Sequence, residues 1–446
     1  MKKRDFLKTS AIAASSVFLP KSLMSHGQSS KKLRTAHIGV GGMGFQDLKA
    51  ISSHKSVEVV GLCDVDSEAL LKLKLKFPMV KTYKDYRVML NELTDKIDAV
   101  NVSTPDHTHA PAALMAMKKN KAVYCQKPLA HHVSEVREMR KIAEEKNLIT
   151  QMGIQVHSFY DYKLATLLIQ SGIIGKVSRV RAWSPKNWGY DGQNAQGVDP
   201  VPSNLDWNLW IGTAKKRPFK EKIYHPENWR KLVDFGCGTL GDMGVHIFDT
   251  PYNALALDVP KSITNKCRKP NGFGYPESNK VTYVFPGTSY TTEELEWIWY
   301  DGKGAPHSHE ELRLPNKDKL PLQGAMFVGE KGRLLLPHFM EAPKLIENGK
   351  YRNIDIKNYD PNGDLGPKLN DYKRDAPKHY YQFIDACLGI DKVSAPFSYS
   401  ARLTETILLG VIAGRFPNKT LHWDSKKAKF KESEANVFLK GVERSF

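Results

Sequence analysis

Six residues constrain this chain more than any other feature of its 446: Gly39-Val40-Gly41-Gly42-Met43-Gly44. They follow an apolar strand candidate at 33–40 and lead into a helical stretch at 45–53. Gly39 permits the tight turn, Gly41 lets the backbone approach a pyrophosphate, and Gly44 lets the helix pack on the strand. Gly42 and Met43 complete a loop whose N–H groups and helix dipole attract an anion. A second strand, 57–63, ends at Asp64, 20 residues beyond Gly44. A carboxylate there can accept from an adenosine ribose 2′-OH. It would also repel a 2′-phosphate, so NAD is expected and NADP disfavoured. Asp66 is the reserve candidate.

The alternation continues. Helical runs at 67–76, 85–93, 110–119 and 133–146 separate strand candidates at 99–103, 122–125 and 149–153. Repeated β-α units imply a doubly wound parallel sheet that binds ligand at the carboxyl ends of its strands. An α/β chain is therefore expected, with a Rossmann-type domain over 33–155. A second, α+β domain over 156–446 should carry a mostly antiparallel open sheet. Period-two runs at 178–183, 280–285, 294–300, 326–329 and 333–336 supply its strands. Late helices at 378–388 and 400–415 should pack back across it. Five scattered cysteines offer neither a disulfide framework nor a CxxC zinc site. No run approaches the roughly 18 apolar residues of an integral membrane span.

The strand ends carry the chemistry. After 99–103 comes Thr104-Pro105-Asp106-His107-Thr108-His109, and after 122–125 comes Gln126-Lys127-Pro128. Both lie on the side where a nicotinamide would sit. A lysine just past a strand end, held by a proline, is placed as a general acid/base toward a substrate hydroxyl. Further on, Asp242 and His246 stand at i and i+4, on one face if helical, behind Gly236, Gly238 and Gly241. A histidine can relay a proton while hydride leaves the same carbon, and an acid can orient it. Asp242, His246, His107, His109, His131 and His132 could also be assembled into a metal site. No histidine pair has compact ligand spacing, however, so no metal is expected.

The glycine loop, Asp64, Thr104-Pro105 with His109, Gln126-Lys127-Pro128 and the stretch 241–249 together resemble the Gfo/Idh/MocA family of oxidoreductases, which act mostly on sugars, inositols and related polyols. These motifs span about 33–250. The resemblance implies that Thr104, Pro105, His109, Gln126 and Lys127 border the cofactor. It also implies that Lys127 is the leading catalytic residue and that Asp242 and His246 face the same pocket from the second domain. The family triplet is usually Glu-Lys-Pro. Glutamine at 126 puts a neutral amide beside Lys127 and reduces any help a carboxylate gives in holding the ammonium charged.

Two polar-aromatic stretches suit a sugar, which offers apolar C–H faces and a rim of hydroxyls. One contains Trp188; the other contains Tyr224, His225, Asn228, Trp229 and Arg230. With Lys127, Asp242 and His246 these are the expected substrate contacts.

The N-terminus bears on compartment. Lys2, Lys3, Arg4 and Lys8 precede an apolar run at 11–19, and residues 3–8 resemble a twin-arginine export signal with lysine in the first arginine's place. Residues 1–30 are expected to be an export signal and linker, and the protein periplasmic. Of the formal net charge of +18, this segment holds five basic residues against Asp5. The remaining lysines are dispersed, with no basic stripe interleaved with aromatics, so a nucleic-acid partner is not expected. The expected activity is NAD-dependent oxidation or reduction of a sugar, glycoside or polyol, by a homo-oligomer formed through the second sheet. The alternatives are a glycoside-cleaving enzyme that transiently oxidises its sugar and a non-catalytic sugar- or nucleotide-binding relative.

Overall fold

The computed structural model describes residues 32–192, 197–306, 312–368, 371–441 and 444. The expected export segment lies outside them. Six strands form the first sheet: β1 Leu33–Ile38, β2 Val57–Cys63, β3 Lys81–Tyr83, β4 Ala99–Val102, β5 Ala122–Gln126 and β6 Thr150–Gly153. All pair in parallel, in the order β3-β2-β1-β4-β5-β6. This is a Rossmann order, with the strand direction of travel reversing at β1 and β4. Val100, Val102 and Val123 are fully buried, as expected of parallel strands covered on both faces.

Helices α1 Gly42–Ser52, α2 Ser67–Lys74, α3 Tyr86–Glu92, α4 Asp106–Lys118 and α5 Val133–Glu145 make the crossovers. Asp66 caps α2 and Asp85 caps α3, each side chain accepting a first-turn N–H. The sequence placed the start of α4 four residues late. It opens at Asp106, directly after Pro105, so the Thr104-Pro105 turn is the helix's lead-in.

After α6 Tyr160–Gln170, the second sheet contains β7 Val177–Ser184, β8 Ser262–Lys266, β9 Lys280–Pro286, β10 Thr291–Asp301 and β11 Gly324–Gly329. It is completed by β12 Arg333–Pro337, β13 Lys344–Glu347, β14 Lys350–Arg352, β15 Thr420–Asp424 and β16 Lys429–Phe430. The order is β14-β13-β12-β11-β7-β10-β9-β8-β15-β16. Among the described residues of this sheet, only the β7–β10 pair is parallel. Strand β9 alternates buried and half-buried positions along its length.

Between β7 and α8 Val245–Ala254 lies an insertion with the short helix α7 Trp207–Ile211 and its own aromatic core. Of the last helices, α9 Tyr372–Cys387 and α10 Phe397–Ala413, the second packs against β8 of the second sheet as well as α5, and the first departs from expectation. Tyr380, Phe383 and Ile384 of α9 pack with Leu33, Ile51 and Tyr124 of the first domain, not across the second sheet. Both sheets belong to one unit, Lys32–Phe446. Among the described residues no helix is long and apolar enough to cross a membrane.

Candidate active site

A cleft of about 1110 Å³ runs from the carboxyl ends of the parallel strands to the start of α8. That is slightly above the roughly 300–1,000 Å³ found for small-molecule sites. One end is the glycine loop. Helix α1 begins at Gly42 without a side-chain cap, so its first N–H groups are available to an anion.

The four glycines divide into two kinds. A Cβ on Gly39 would stand 2.6 Å from the Ser103 carbonyl oxygen, and one on Gly44 2.1 Å from that of Gly39. These two are required by the fold. A Cβ on Gly42 would meet nothing within 4 Å, and one on Gly41 would come no nearer than 3.8 Å to Asp64. These two leave the open cradle that a pyrophosphate fits.

Asp64 Oδ2 accepts from the N–H groups of Val40 (2.8 Å) and Gly41 (3.2 Å), and Oδ1 from that of Asp66 (2.9 Å). Burial raises the Asp64 carboxyl against these three bonds. Asp66, the reserve candidate, spends Oδ1 on the Glu68 N–H and on Asn204 Nδ2, and it also lines the cleft.

At the other end, Lys127 Nζ donates to Asp242 Oδ1 at 2.8 Å and to the Asp242 carbonyl at 3.1 Å. Trp188 Nε1 donates to Asp242 Oδ2 at 2.6 Å, and Arg230 Nε stands 3.4 Å from Oδ1. Burial alone would raise the Asp242 carboxyl. The charges of Lys127 and Arg230 overcome it and hold the group well below the usual carboxylate range. His246 lines the same cleft. Burial, reinforced by Lys127 and His338, pushes its ring well below the ordinary histidine range, so it is neutral near pH 7.

The regular α-turn expected to align Asp242 and His246 is absent. Residues Leu240–Gly244 wind as a π-helix that passes into α8, a departure common at functional sites. Gly241 belongs to it: a Cβ there would stand 2.2 Å from Cys237 Cβ.

Gln126 is turned away from the Lys127 ammonium. Its Nε2 donates to Asp47 Oδ2 at 2.9 Å, and its Oε1 accepts from the Lys127 N–H at 3.3 Å. Asp47 lies fully buried in α1 and also accepts from Ser103 Oγ (2.6 Å) and Tyr380 Oη (2.6 Å). The acid missing from the triplet therefore has two counterparts. Asp242 pairs the lysine, and Asp47 occupies the buried pocket beneath it.

His109 joins the two strand-end motifs, its Nδ1 lying 2.7 Å from the Pro128 carbonyl and its Nε2 2.7 Å from that of Thr104. Thr104, Pro105 and His109 all line the cleft. His107 and His131 each have Nε2 on a backbone carbonyl, of Trp210 and Gly236 respectively.

The aromatic stretches divide. Arg230 and Trp229 line the cleft, the guanidinium lying 4.4 Å from the Trp229 ring. His225 also lines it, but toward Asp64 and Asp66, away from Lys127. Three expected substrate contacts are corrected. Tyr224 is buried in the aromatic core of the insertion, against Trp207 and Phe235. Asn228 donates to the Lys222 carbonyl and anchors its own loop. Trp188 acts behind the wall, on Asp242.

Among the cleft residues not named as site members from the sequence are His338, which carried no signal, and Asp106, which stood inside the strand-end motif. His338, just past β12, has Nδ1 hydrogen-bonded to Tyr162 Oη, and its ring lies 6.2 Å from that of His246. Asp106 sits in the wall with its carboxyl raised by burial, against the pull of His109, Arg230 and Lys127.

Comparison with known proteins bears on this arrangement. Residues 33–154 match the oxidoreductase family's NAD-binding Rossmann fold, and residues 163–267 its C-terminal alpha/beta domain. The chain belongs to the Gfo/Idh/MocA family. Among curated members, it is 23% identical over 188 residues to levoglucosan dehydrogenase of Pseudarthrobacter phenanthrenivorans, covering 42% of this chain and 40% of that one. It is 37% identical over 136 residues to a glycosyl hydrolase family 109 protein of Stenotrophomonas maltophilia, covering 28% and 29%. The chain thus spans less than half the length of these Gfo/Idh/MocA relatives. A solved levoglucosan dehydrogenase, in complex with NADH and L-sorbose, shares the fold at a TM-score of 0.62 and 15% identity, covering 88% of this chain and 99% of that one.

Proposed function

We propose that this protein is an NAD-dependent oxidoreductase that interconverts a hydroxyl and a carbonyl on a sugar, glycoside or polyol. The observation that carries the reading is the Lys127–Asp242 pair beside His246, in a cleft whose other end is a dinucleotide cradle. The levoglucosan dehydrogenase relative, solved with NADH and a sugar, supports it. When bound, NAD supplies the hydride acceptor or donor. Lys127 gives two of its three N–H bonds to Asp242 and keeps the third for a substrate oxygen. His246 Nδ1 is buried without a hydrogen-bond partner, so proton exchange with the hydroxyl falls to Nε2. Arg230, its guanidinium over the Trp229 ring, offers further N–H groups to the sugar. Met43, Gly41 and Gly42 hold the pyrophosphate end, and Asp64 the adenosine ribose.

The test is to release nucleotide from the purified protein by denaturation and to follow its redox state against a panel of glycosides and keto-sugars. Lack of bound NAD(H) together with lack of affinity for it would overturn the reading. Glycoside cleavage without net reduction would replace it by the cleaving activity. Lys127→Met and His246→Asn should each lower kcat by about 10²-fold or more; wild-type turnover in either would remove that residue from the mechanism.

We also propose that the protein works in the periplasm, on the strength of Lys2-Lys3-Arg4 and the apolar run at 11–19. Cell fractionation checks this, and recovery of active protein only from the cytoplasm would reject it.

A further inference from the structure

Two imidazoles share the wall of the cleft beside Lys127. His246 lies in the first turn of α8, and His338 follows β12 with its ring 6.2 Å away at a tilt of 37°. Both line the cleft. Burial holds both rings below the ordinary histidine range, His338 at about 4, so each is neutral near pH 7. A neutral imidazole has one N–H and one lone pair. Two such rings can therefore take opposite parts toward one ligand, and the surroundings of each decide which part it takes.

His338 is pinned. Its backbone N–H donates to the Gln323 carbonyl at 2.9 Å, and its ring stands edge-on to Tyr162 at 6.0 Å and beside Phe339 at 5.5 Å. Tyr162, on α6, is buried, and burial pushes its hydroxyl well above the ordinary range, so the O–H keeps its proton. Among the described residues, His338 Nδ1 is the hydrogen-bond partner of that hydroxyl. A buried O–H without an acceptor is costly, so Tyr162 donates and Nδ1 accepts. The ring hydrogen then sits on Nε2. That nitrogen has no partner among the described residues and is not enclosed, which leaves an N–H open to the cleft. His246 is the converse, with Nδ1 enclosed and Nε2 facing the ligand.

We infer that His338 Nε2–H donates to the oxygen on the carbon next to the one oxidised, and that this bond sets the substrate class: a sugar, glycoside or polyol whose reacting hydroxyl is flanked by an acceptor oxygen. This rests on the oxidoreductase reading above. Lys127 and His246 meet the reacting hydroxyl, and the gap between the two rings is spanned by neighbouring oxygens, each one hydrogen bond from its imidazole. A hydroxyl, ether or glycosidic oxygen accepts from His338. A methylene and an ammonium do not, so sugars carrying a deoxy or free amino function at that carbon are rejected. Tyr162 is a positioning residue, which acts by fixing the nitrogen of His338 that bears the hydrogen.

The experiment uses the full chain and the glycoside of the panel that it oxidises fastest, with the monodeoxy derivatives of that glycoside. The position of the keto group in the product identifies the oxidised carbon. Wild-type protein should lose about tenfold or more in kcat/KM on the derivative that lacks one neighbouring oxygen. His338→Leu should raise KM for the parent glycoside by about tenfold or more with kcat little changed. On that one deoxy derivative it should match the wild type, because the partner of the lost N–H is already gone. His338→Gln, which keeps an N–H donor, should recover part of the loss, and Tyr162→Phe should show the same pattern in weaker form. A His338→Leu loss equal for the parent and every deoxy derivative would overturn the assignment. So would a wild type indifferent to both neighbouring oxygens, a comparison that needs no variant to fold. Either result leaves hydride transfer intact. Absence of hydride transfer with every member of the panel would overturn the oxidoreductase reading and this inference together.

Discussion

Gln126 shows how a single substitution is absorbed by its surroundings. A glutamate there would set a second carboxylate against Asp47, which is fully buried and raised by burial despite its three hydrogen bonds. Unpaired buried charge is costly, and removing a donor from a buried acceptor adds to the cost. Gln126→Glu alone should therefore destabilise the fold by roughly 2–4 kcal/mol. Asp47→Asn combined with Gln126→Glu, which reverses the donor and the acid, should recover most of that loss. Denaturant unfolding of the four members of the cycle checks this. Absence of recovery in the double variant would show that the two side chains do not act as a pair. The glutamine could be read from the sequence as a departure from Glu-Lys-Pro. Its partner could not, because Asp47 lies 79 positions away and Tyr380 a further 254 beyond Gln126.

The strand–loop–helix unit is the element for which sequence and structure agree most closely, since Gly39 and Gly44 answer to atoms within the same unit or at the next strand end. Gly44→Ala would drive a Cβ to 2.1 Å from the Gly39 carbonyl oxygen, a contact only backbone movement can relieve. Gly42→Ala meets no atom within 4 Å and carries only the strain of φ +49°, about 1–2 kcal/mol. Thermal unfolding should therefore find Gly44→Ala several kcal/mol less stable and Gly42→Ala only mildly affected. Equal losses would mean that close packing does not distinguish the two glycines. The element built from Gly236 to His246 was less legible. The i, i+4 spacing suggested a plain helical face, whereas close packing around Gly241 accompanies a π-helical turn that the spacing does not encode.

At the scale of the whole molecule, the same burial that builds the core sets the response to acid. Burial lowers His37 to about 3, His107 to about 4 and His379 to about 3, whereas an unfolded histidine titrates near 6.5. Below about pH 6.5 the unfolded chain binds more protons at these three positions. Each ring then withdraws up to about 1.4 kcal/mol of stability per pH unit until its folded value is reached. Asp301 works in the opposite sense. Burial raises it to about 7, so between about 7 and the unfolded value near 3.9 it is the folded chain that holds the extra proton. With His109, His131, His225, His246 and His338 also held below the ordinary value by burial, and Asp47, Asp64 and Asp106 also raised by it, eight rings stand against four carboxyls and predict a net loss, with Tm falling as pH is lowered from 6.5 to 4.5. A Tm that is flat or rising across that interval would contradict the prediction.

The sequence by itself determined the α/β class, the cofactor loop with Asp64, and Lys127, Asp242 and His246 as a candidate set. These rest on short-range spacing: glycines within one turn, an acid one β-α-β unit away, residues immediately past strand ends. Only the tertiary structure decided that Trp188 and Arg230 serve Asp242, that Tyr224 is core, that α9 covers the first domain, and that residues of 197–235 line the cleft. Each depends on a contact between residues far apart in the chain, where whole-molecule packing, not local periodicity, fixes which side chains meet.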